Sequence, residues 1–297
     1  MILIFSEVND LSTLAVAGYL DDYGVPYTVV LKTDTLRYTD ADKGTLYIGE
    51  NKICLKDIHA VWFRRGKFFI RSNAFKDREL DLYLYENNVI IEDYVNYKLE
   101  QVKSIGSAAG LHVNKLIVLE KAKACGLTVP DYCLEHDFQQ QDATYIVKGV
   151  NGNTHFNSDQ LRIILPVVKL NDSHSSGLSF FQRYTEKKYE LRIFYLHGRF
   201  WSMAIFSQND PQTTTDFRKY NKERPNRNIP YTLPTAIEAK LTCLMESLSL
   251  NTGSIDMIVT PSLEHVFLEV NPVGQFGMVS LPCNYNLEKE IADFLKS

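Results

Sequence analysis

The chain has 297 residues, 36 acidic and 32 basic, for a formal net charge of −4, with 45% hydrophobic, 23% charged and 12% aromatic side chains. At roughly 100–200 residues per domain this describes about two globular domains with ample core. The composition excludes a disordered or low-complexity chain, and the mild acidity argues against a general nucleic-acid or membrane-surface binder, so any basic site must be local. No apolar run approaches the roughly 20 residues needed to cross a bilayer. The N-terminus lacks a basic n-region and a cleavage site and reads as a first strand, which places the protein in the cytoplasm. Five cysteines, Cys54, Cys125, Cys133, Cys243 and Cys283, are widely spaced without a CxxC pair and are expected to be buried reduced thiols. The histidines are dispersed and form no HExxH pair.

In chain order, residues 2–5 read as a strand, 9–23 as a capped helix closing at Gly24, and 27–31 as a second strand, a βαβ opening. Short β-rich runs at 46–48 and 52–55 flank a Gly-Glu-Asn turn. A strand at 60–63 ends in Arg64-Arg65-Gly66, and a helix is predicted over about 78–104. The Gly-, Ala- and Ser-rich stretch 106–113 marks the domain boundary, giving an N-terminal α/β domain of residues 1–110 and a second domain of 111–297. In the second, helical spacing of Leu116, Leu119, Ala122 and Lys123 stops at Gly126. Strands follow at 144–147, near 163–168, and over 178–206, folded at His197-Gly198. Residues 207–235 hold four of the ten prolines and form a long irregular stretch, read here as functional. A helix at 235–250, a hairpin at 254–270 and a helix at 287–296 complete the chain.

The hairpin carries the densest chemistry. Strand alternation puts Glu269 and Asn271 on one face, and a four-residue loop at 261–264 sets Asp256 directly across from Glu269. Two carboxylates and an amide oxygen make a hard-oxygen site suited to magnesium, which keeps waters and takes phosphate oxygens in its other positions. The alternative is an exposed acidic face on a half-buried hairpin; the apolar neighbours and the following Pro272, Gly274 and Gly277 favour the metal. In Tyr145-Ile-Val-Lys148-Gly-Val-Asn-Gly152, a lysine leaves a strand before a Gly/Asn loop, where its ammonium and loop N–H groups can share a phosphate. Neither a Walker A pattern nor a GxGxxG is present. Two further segments stand out. One is Phe180-Phe-Gln182-Arg-Tyr184 with Glu190-Leu-Arg192. The other is 216–227, where Arg218, Lys219, Lys222, Arg224 and Arg227 against Asp216 and Glu223 give +3, fitting an anionic ligand or a solvated loop. No GxSxG elbow or Cys–His motif calls for a covalent enzyme intermediate.

Taken in order, these segments resemble the ATP-grasp superfamily, and more closely the graspetide synthetases, microviridin-type peptide macrocyclases. The ending Phe267-Leu-Glu-Val-Asn-Pro-Val-Gly-Gln-Phe-Gly-Met-Val-Ser-Leu-Pro-Cys-Asn-Tyr285 looks like the maturases of grasp-with-spasm systems. The likeness also takes in Val61-Trp-Phe-Arg-Arg65, Asn114-Lys115 through Pro130, Val147-Lys148 and Thr215-Asp-Phe-Arg218, and so covers almost the whole chain.

The resemblance implies an α/β and α+β architecture: a pre-ATP-grasp N-terminal domain, then an ATP-grasp domain with a small subdomain at about 111–180 and a large one at about 181–297. It implies ATP and Mg2+, with Lys115 and Lys148 on the nucleotide phosphates, Gln182 and Tyr184 at the adenine hinge and Glu190 near the ribose. Asp256, Glu269 and Asn271 would hold magnesium, Arg192 and Arg218 would serve the γ-phosphate and acyl-phosphate, and Arg64 and Arg65 would face the substrate. Only the moderately glycine-rich loop after Lys148 departs from the pattern. The implied partner is a precursor peptide whose Asp or Glu carboxylates are phosphorylated and closed onto Ser, Thr or Lys side chains; no nucleic acid or membrane is implied, and a homodimer is suggested. The alternative is an ATP-grasp carboxylate–amine ligase acting on a small molecule or a protein C-terminus, as in glutathione-synthetase-like relatives. A peptide enzyme would need an extended groove, for which the aromatic run 191–206 is a candidate, although core packing also explains those rings.

Overall fold

The structure, a computed structural model, describes residues 1–40, 44–71, 76–139, 143–150, 155–158, 161–164, 168–170, 174–208 and 225–297. Its contacts divide into two compact units, one of Met1–His112, Leu250–Thr252 and Gln275–Ser297, the other of Val113–Ser249 and Gly253–Gly274.

The first unit begins as the sequence predicts, with β1 (Ile2–Ser6), α1 (Leu11–Asp22) and β2 (Tyr27–Leu31). A small antiparallel sheet of β3 (Leu36–Thr39), β4 (Thr45–Ile48) and β5 (Asn51–Cys54) follows. Next come β6 (Ala60–Phe63), α2 (Arg78–Glu100) and β7 (Lys103–Ile105), and β1, β2, β6 and β7 form a parallel sheet in the order β2-β1-β6-β7. The apolar runs of β1 and β6 are buried residue for residue, the pattern of parallel strands covered on both faces. Their core includes Leu3, Phe5, Val61, Phe63, Phe68 and Leu99. The helix predicted to reach residue 104 ends at Glu100, because Lys103–Ile105 pairs with β6 instead.

Asp10 holds α1 and β6 together. Its Oδ1 accepts from the Thr13 N–H (2.8 Å) as the N-cap of α1, and its two oxygens take Arg64 Nε (3.3 Å) and Arg65 Nε (2.6 Å). Burial pushes the Asp10 carboxyl up, but the Arg64 charge, the Thr13 N–H and the bonds from both arginines outweigh it, and its pKa lies below the ordinary value.

The second unit opens with α3 (Lys115–Ala124), whose N-cap Asn114 accepts from the Leu116 and Ile117 N–H groups. After β8 (Tyr132–Phe138) and β9 (Tyr145–Lys148) come β10 (His155–Ser158), β11 (Leu161–Ile164), β12 (Val168–Lys169) and β13 (His174–Arg183). These make a sheet ordered β12-β9-β13-β8 and a separate β10-β11 hairpin. A second sheet, ordered β16-β15-β14-β17-β18, joins β14 (Tyr189–Leu196), β15 (Arg199–Phe206) and β16 (Arg227–Tyr231) to β17 (Thr252–Val259) and β18 (His265–Asn271), with α4 (Thr235–Ser247) between β16 and β17. His197 and Gly198 turn β14 into β15 with positive φ at both residues, as a tight two-residue hairpin requires. The stretch expected to be irregular through 235 contains β16; its Pro230 is tolerated because β16 is an edge strand.

The chain ends with α5 (Gly277–Cys283) and α6 (Leu287–Lys296), which belong to the first unit rather than to the second domain of the linear division; α6 packs on α1, β6 and β7. The expectation of five reduced thiols is also corrected. α3 lies against α4, bringing Cys125 and Cys243 to a Cα–Cα distance of 5.9 Å, and the two are bonded. Their sequence separation of 118 left no local signal. Among the described residues no helix is long and apolar enough to cross a membrane.

Asp10→Asn keeps an N-cap but removes the carboxylate that pairs with Arg64 and Arg65, and urea unfolding at pH 7 should show a loss of about 3 kcal/mol. Because the folded-state pKa is depressed, the pairing contributes above the unfolded value of 3.8 and is lost as pH falls through the folded one, so wild type and variant should converge in strong acid.

Candidate functional site

The register of β17 with β18 sets Asp256 opposite Glu269 and Ser254 opposite Asn271. The predicted partnership holds by two cancelling offsets. At the tip Val259 pairs with His265, one residue off the predicted register, and a bulge at Leu268 restores it before Glu269. A Cβ on Gly274 would stand 1.9 Å from Ser254 Oγ and 2.8 Å from the Ser254 backbone N, so only glycine lets the chain beyond Asn271 fold back on β17.

Both acids face cations. Arg192 Nη1 donates to the two Asp256 oxygens at 2.5 Å, and Lys115 Nζ lies 3.8 Å from Glu269 Oε2. Lys115 is the first residue of α3, where the helix dipole already favours an anion, and its ammonium also sits 4.9 Å over the Phe180 ring of β13. It thus lies by one strand from each of the two larger sheets of this unit.

On β13, Phe180 pairs with Lys148, so Phe180, Lys148 and Gln182 share a face, while Phe181 packs on Phe138 behind it. Lys148 Nζ donates to Gln182 Oε1 (2.8 Å). A lysine can only donate, which turns the amide nitrogen away. Gln182 is 1% exposed, and its Nε2 meets no acceptor among the described residues; the same holds for the buried Nε of Arg192. Buried N–H groups without acceptors are rare and cost roughly 1–3 kcal/mol each, and a ligand with ring nitrogens or phosphate oxygens would satisfy both.

Glu190 lies two residues before Arg192 on β14. Its Oε1 takes Lys187 Nζ (2.7 Å) and Ser207 Oγ (2.8 Å). Burial raises its pKa; Lys187 and Ser207 pull it down, and the Asp256 charge pushes it up again. Sequence reading missed Lys187, Ser207 and Lys169, whose ammonium stands 3.7 Å over the Tyr184 ring. None has a periodic or motif signal, since each is set by a contact across strands or a turn.

Comparison with known proteins finds no matching protein-family model and no matching curated protein. Solved structures do match. The macrocyclase MdnC of Microcystis aeruginosa, bound with precursor peptide MdnA, aligns over 99% of this chain and 98% of its own at TM-score 0.75 and 23% identity. A RiPP-associated ATP-grasp ligase of Chryseobacterium gregarium, in complex with ADP and a leader and core peptide, also gives 0.75 and 23%, over 99% and 95%. The ATP-grasp ligase PsnB, complexed with minimal precursor, Mg and ADP, gives 0.69 and 14%, over 99% and 96%. The chain has the ATP-grasp fold.

Within that fold Lys115, Lys148, Gln182, Glu190, Arg192, Asp256, Glu269 and Asn271 all lie in one compact unit, as does Tyr184. No group of three or more His, Cys, Asp or Glu side chains converges among the described residues. The residues that could hold a metal at this hairpin are the Asp256 and Glu269 carboxylates and the Asn271 amide, oxygen donors of the kind magnesium takes while keeping most of its sphere for waters and phosphate oxygens. Arg218 and Gly152 fall outside the described residues. Arg64 and Arg65 belong to the first unit. Both were expected to face the substrate; Arg64, at 4% exposure, is held by Asp10 and Ser12 with the Phe276 ring 5.5 Å away, while the Arg65 side chain is a quarter exposed.

Lys187→Met would strand Glu190. Chemical denaturation at pH 8 should show a loss of about 3 kcal/mol, shrinking as the pH falls and the carboxyl, its pKa raised, takes up a proton.

Proposed function

We propose that the chain is an ATP-dependent ligase that closes macrocycles in a ribosomally made precursor peptide. The observation that carries this reading is the likeness over nearly the full length, N-terminal unit included, to a macrocyclase bound with its precursor peptide and to an ATP-grasp ligase in complex with ADP and a leader and core peptide. A nucleotide ligase acting on a small molecule would use the same Lys148, Gln182 and Asp256–Glu269 geometry, and remains the reading to test against.

In this scheme Gln182 Nε2 donates to the adenine edge, with Tyr184 beside it, and Lys148 reaches the phosphates. Glu190 lies by the ribose. Magnesium, held by Asp256, Glu269 and Asn271, would supply Lewis-acid polarisation of phosphoryl oxygens. Arg192 and Lys115, which pair with these acids, provide the cations that the transferring phosphoryl group needs. An Asp or Glu carboxylate of the peptide attacks the γ-phosphorus and ADP leaves. A Ser or Thr hydroxyl, or a Lys amine, then attacks the acyl carbon and phosphate departs, leaving an ester or amide ring. Arg218 at the acyl-phosphate and Arg65 on the peptide are proposed on the sequence likeness, as is the division into small and large subdomains near residue 180. We place the enzyme in the cytoplasm, where ATP is available and where the Cys125–Cys243 pair is exposed to the glutathione pool.

Incubated with ATP, magnesium and its precursor peptide, the protein should lower the peptide mass by one water per ring. Phosphate release with no change in peptide mass would sink the macrocyclase reading in favour of another acceptor. Glu269→Gln and Asn271→Ala should each abolish ring closure at an unchanged melting temperature.

A further inference from the structure

The bond between Cys125 and Cys243 joins two helices that have other means of staying together. α3 buries Val118, Leu119 and Ala122, and α4, packed against it, buries Leu241, Leu244 and Met245. Lys121 Nζ of α3 donates to the Ser247 carbonyl at the end of α4. Apolar burial and a hydrogen bond therefore hold the helices side by side with the sulfurs bonded or apart. The pair is also open to water, for Cys243 is exposed and Cys125 only partly buried. Exposed disulfides are the labile ones, whereas structural bridges resist the glutathione pool, and a disulfide in a reducing compartment is usually transient.

The surroundings set the direction of attack. Cys243 is the more exposed of the two, so an incoming thiolate meets its sulfur and Cys125 is the leaving group. Cys125 caps the C-terminus of α3, where the helix dipole opposes a thiolate. Lys240, one turn before Cys243 on α4, counters this: a Cβ on Gly126, the residue after Cys125, would stand 4.0 Å from its Nζ. Two of the three remaining cysteines compete poorly. Burial pushes the Cys133 and Cys283 thiols up, with Glu135 adding to the effect at Cys133, so both are protonated at neutral pH.

We propose that Cys125 and Cys243 form a reversible thiol–disulfide exchange site, open to glutathione-class thiols and disulfides at Cys243, with two folded states that differ in whether α3 is covalently tied to α4. A glutathione thiolate attacks Cys243 Sγ, the protein S–S bond breaks, and Cys125 leaves as a thiolate that takes a proton from water. A second glutathione thiolate attacks the glutathione sulfur of the mixed disulfide and frees Cys243. Two thiols are thereby oxidised to one glutathione disulfide while the protein bond is reduced, and the reverse sequence closes it again. Because α3 starts at Lys115 and Cys125 follows its last residue, the oxidation state sets how firmly the helix that carries Lys115 is fixed.

The full chain is equilibrated at about 5 mM total glutathione, at reduced-to-oxidised ratios from about 1:1 to about 1000:1, then alkylated and mapped by mass spectrometry. Cys125 and Cys243 should pass from bonded to free within that range with an unchanged circular-dichroism spectrum. Reduction should lower the melting temperature by about 5–10 °C, and Cys243→Ser should melt like the reduced wild type at every ratio. Treated with glutathione disulfide, Cys125→Ser should carry one glutathione on Cys243, and Cys243→Ser should carry far less on Cys125. A bond that stays closed at the most reducing ratio is a structural bridge and overturns the proposal, as does a pair that stays free at the most oxidising one. Loss of the folded spectrum on reduction, or a preference for Cys125 in the adducts, overturns it as well; the wild-type titration does not depend on the folding of either variant.

Discussion

Two carboxylates directly across from each other on neighbouring strands repel, and the rest of the second unit is arranged around that repulsion. Asp256 and Glu269 occupy such positions. The chain answers with a separate cation for each: Arg192 comes from the adjacent strand β14, and Lys115 from the start of α3. Each cation is placed by a different element, so strand order, helix capping and hairpin register must all be right for the pair to be tolerated. The same arrangement suits a ligand that brings positive charge to the acids and negative charge to the cations, as a nucleotide phosphate with its divalent ion does.

A similar tension surrounds the unpartnered donors. Gln182 Nε2 and Arg192 Nε are buried beside well-satisfied neighbours, and filling either position with an apolar group would be the simpler way to a stable core. Each is a donor that a bound acceptor would satisfy. Glu190 shows the complementary case: Lys187 and Ser207 hold it so that a carboxylate raised by burial can still sit beside Asp256.

What could be read in the sequence follows from how local its cause is. β1, β2 and β6 announce themselves because continuous apolar runs are what a buried parallel strand requires, and α1 because Asp10 caps it. The opposition of Asp256 and Glu269 was reached through a simple hairpin register, although the strand departs from it twice; the tip offset and the bulge at Leu268 cancel, so the conclusion survived a premise that was wrong in detail. Other features have no local cause. β7 exists because β6 offers an open edge to residues that otherwise continue a helix, and β16 because an edge position excuses Pro230. The burial of Arg64 depends on Asp10, Ser12 and Phe276, drawn from two distant parts of the chain.

The bond between Cys125 and Cys243 also has a topological meaning. It closes a covalent ring that contains Lys148, Gln182, Tyr184, Glu190 and Arg192, while Lys115 and the Asp256–Glu269 hairpin lie outside it. The backbone can therefore be cut once anywhere inside the ring, including the basic stretch at 216–227, without releasing either fragment. An oxidised, nicked molecule stays one molecule, and only reduction would let its two pieces part.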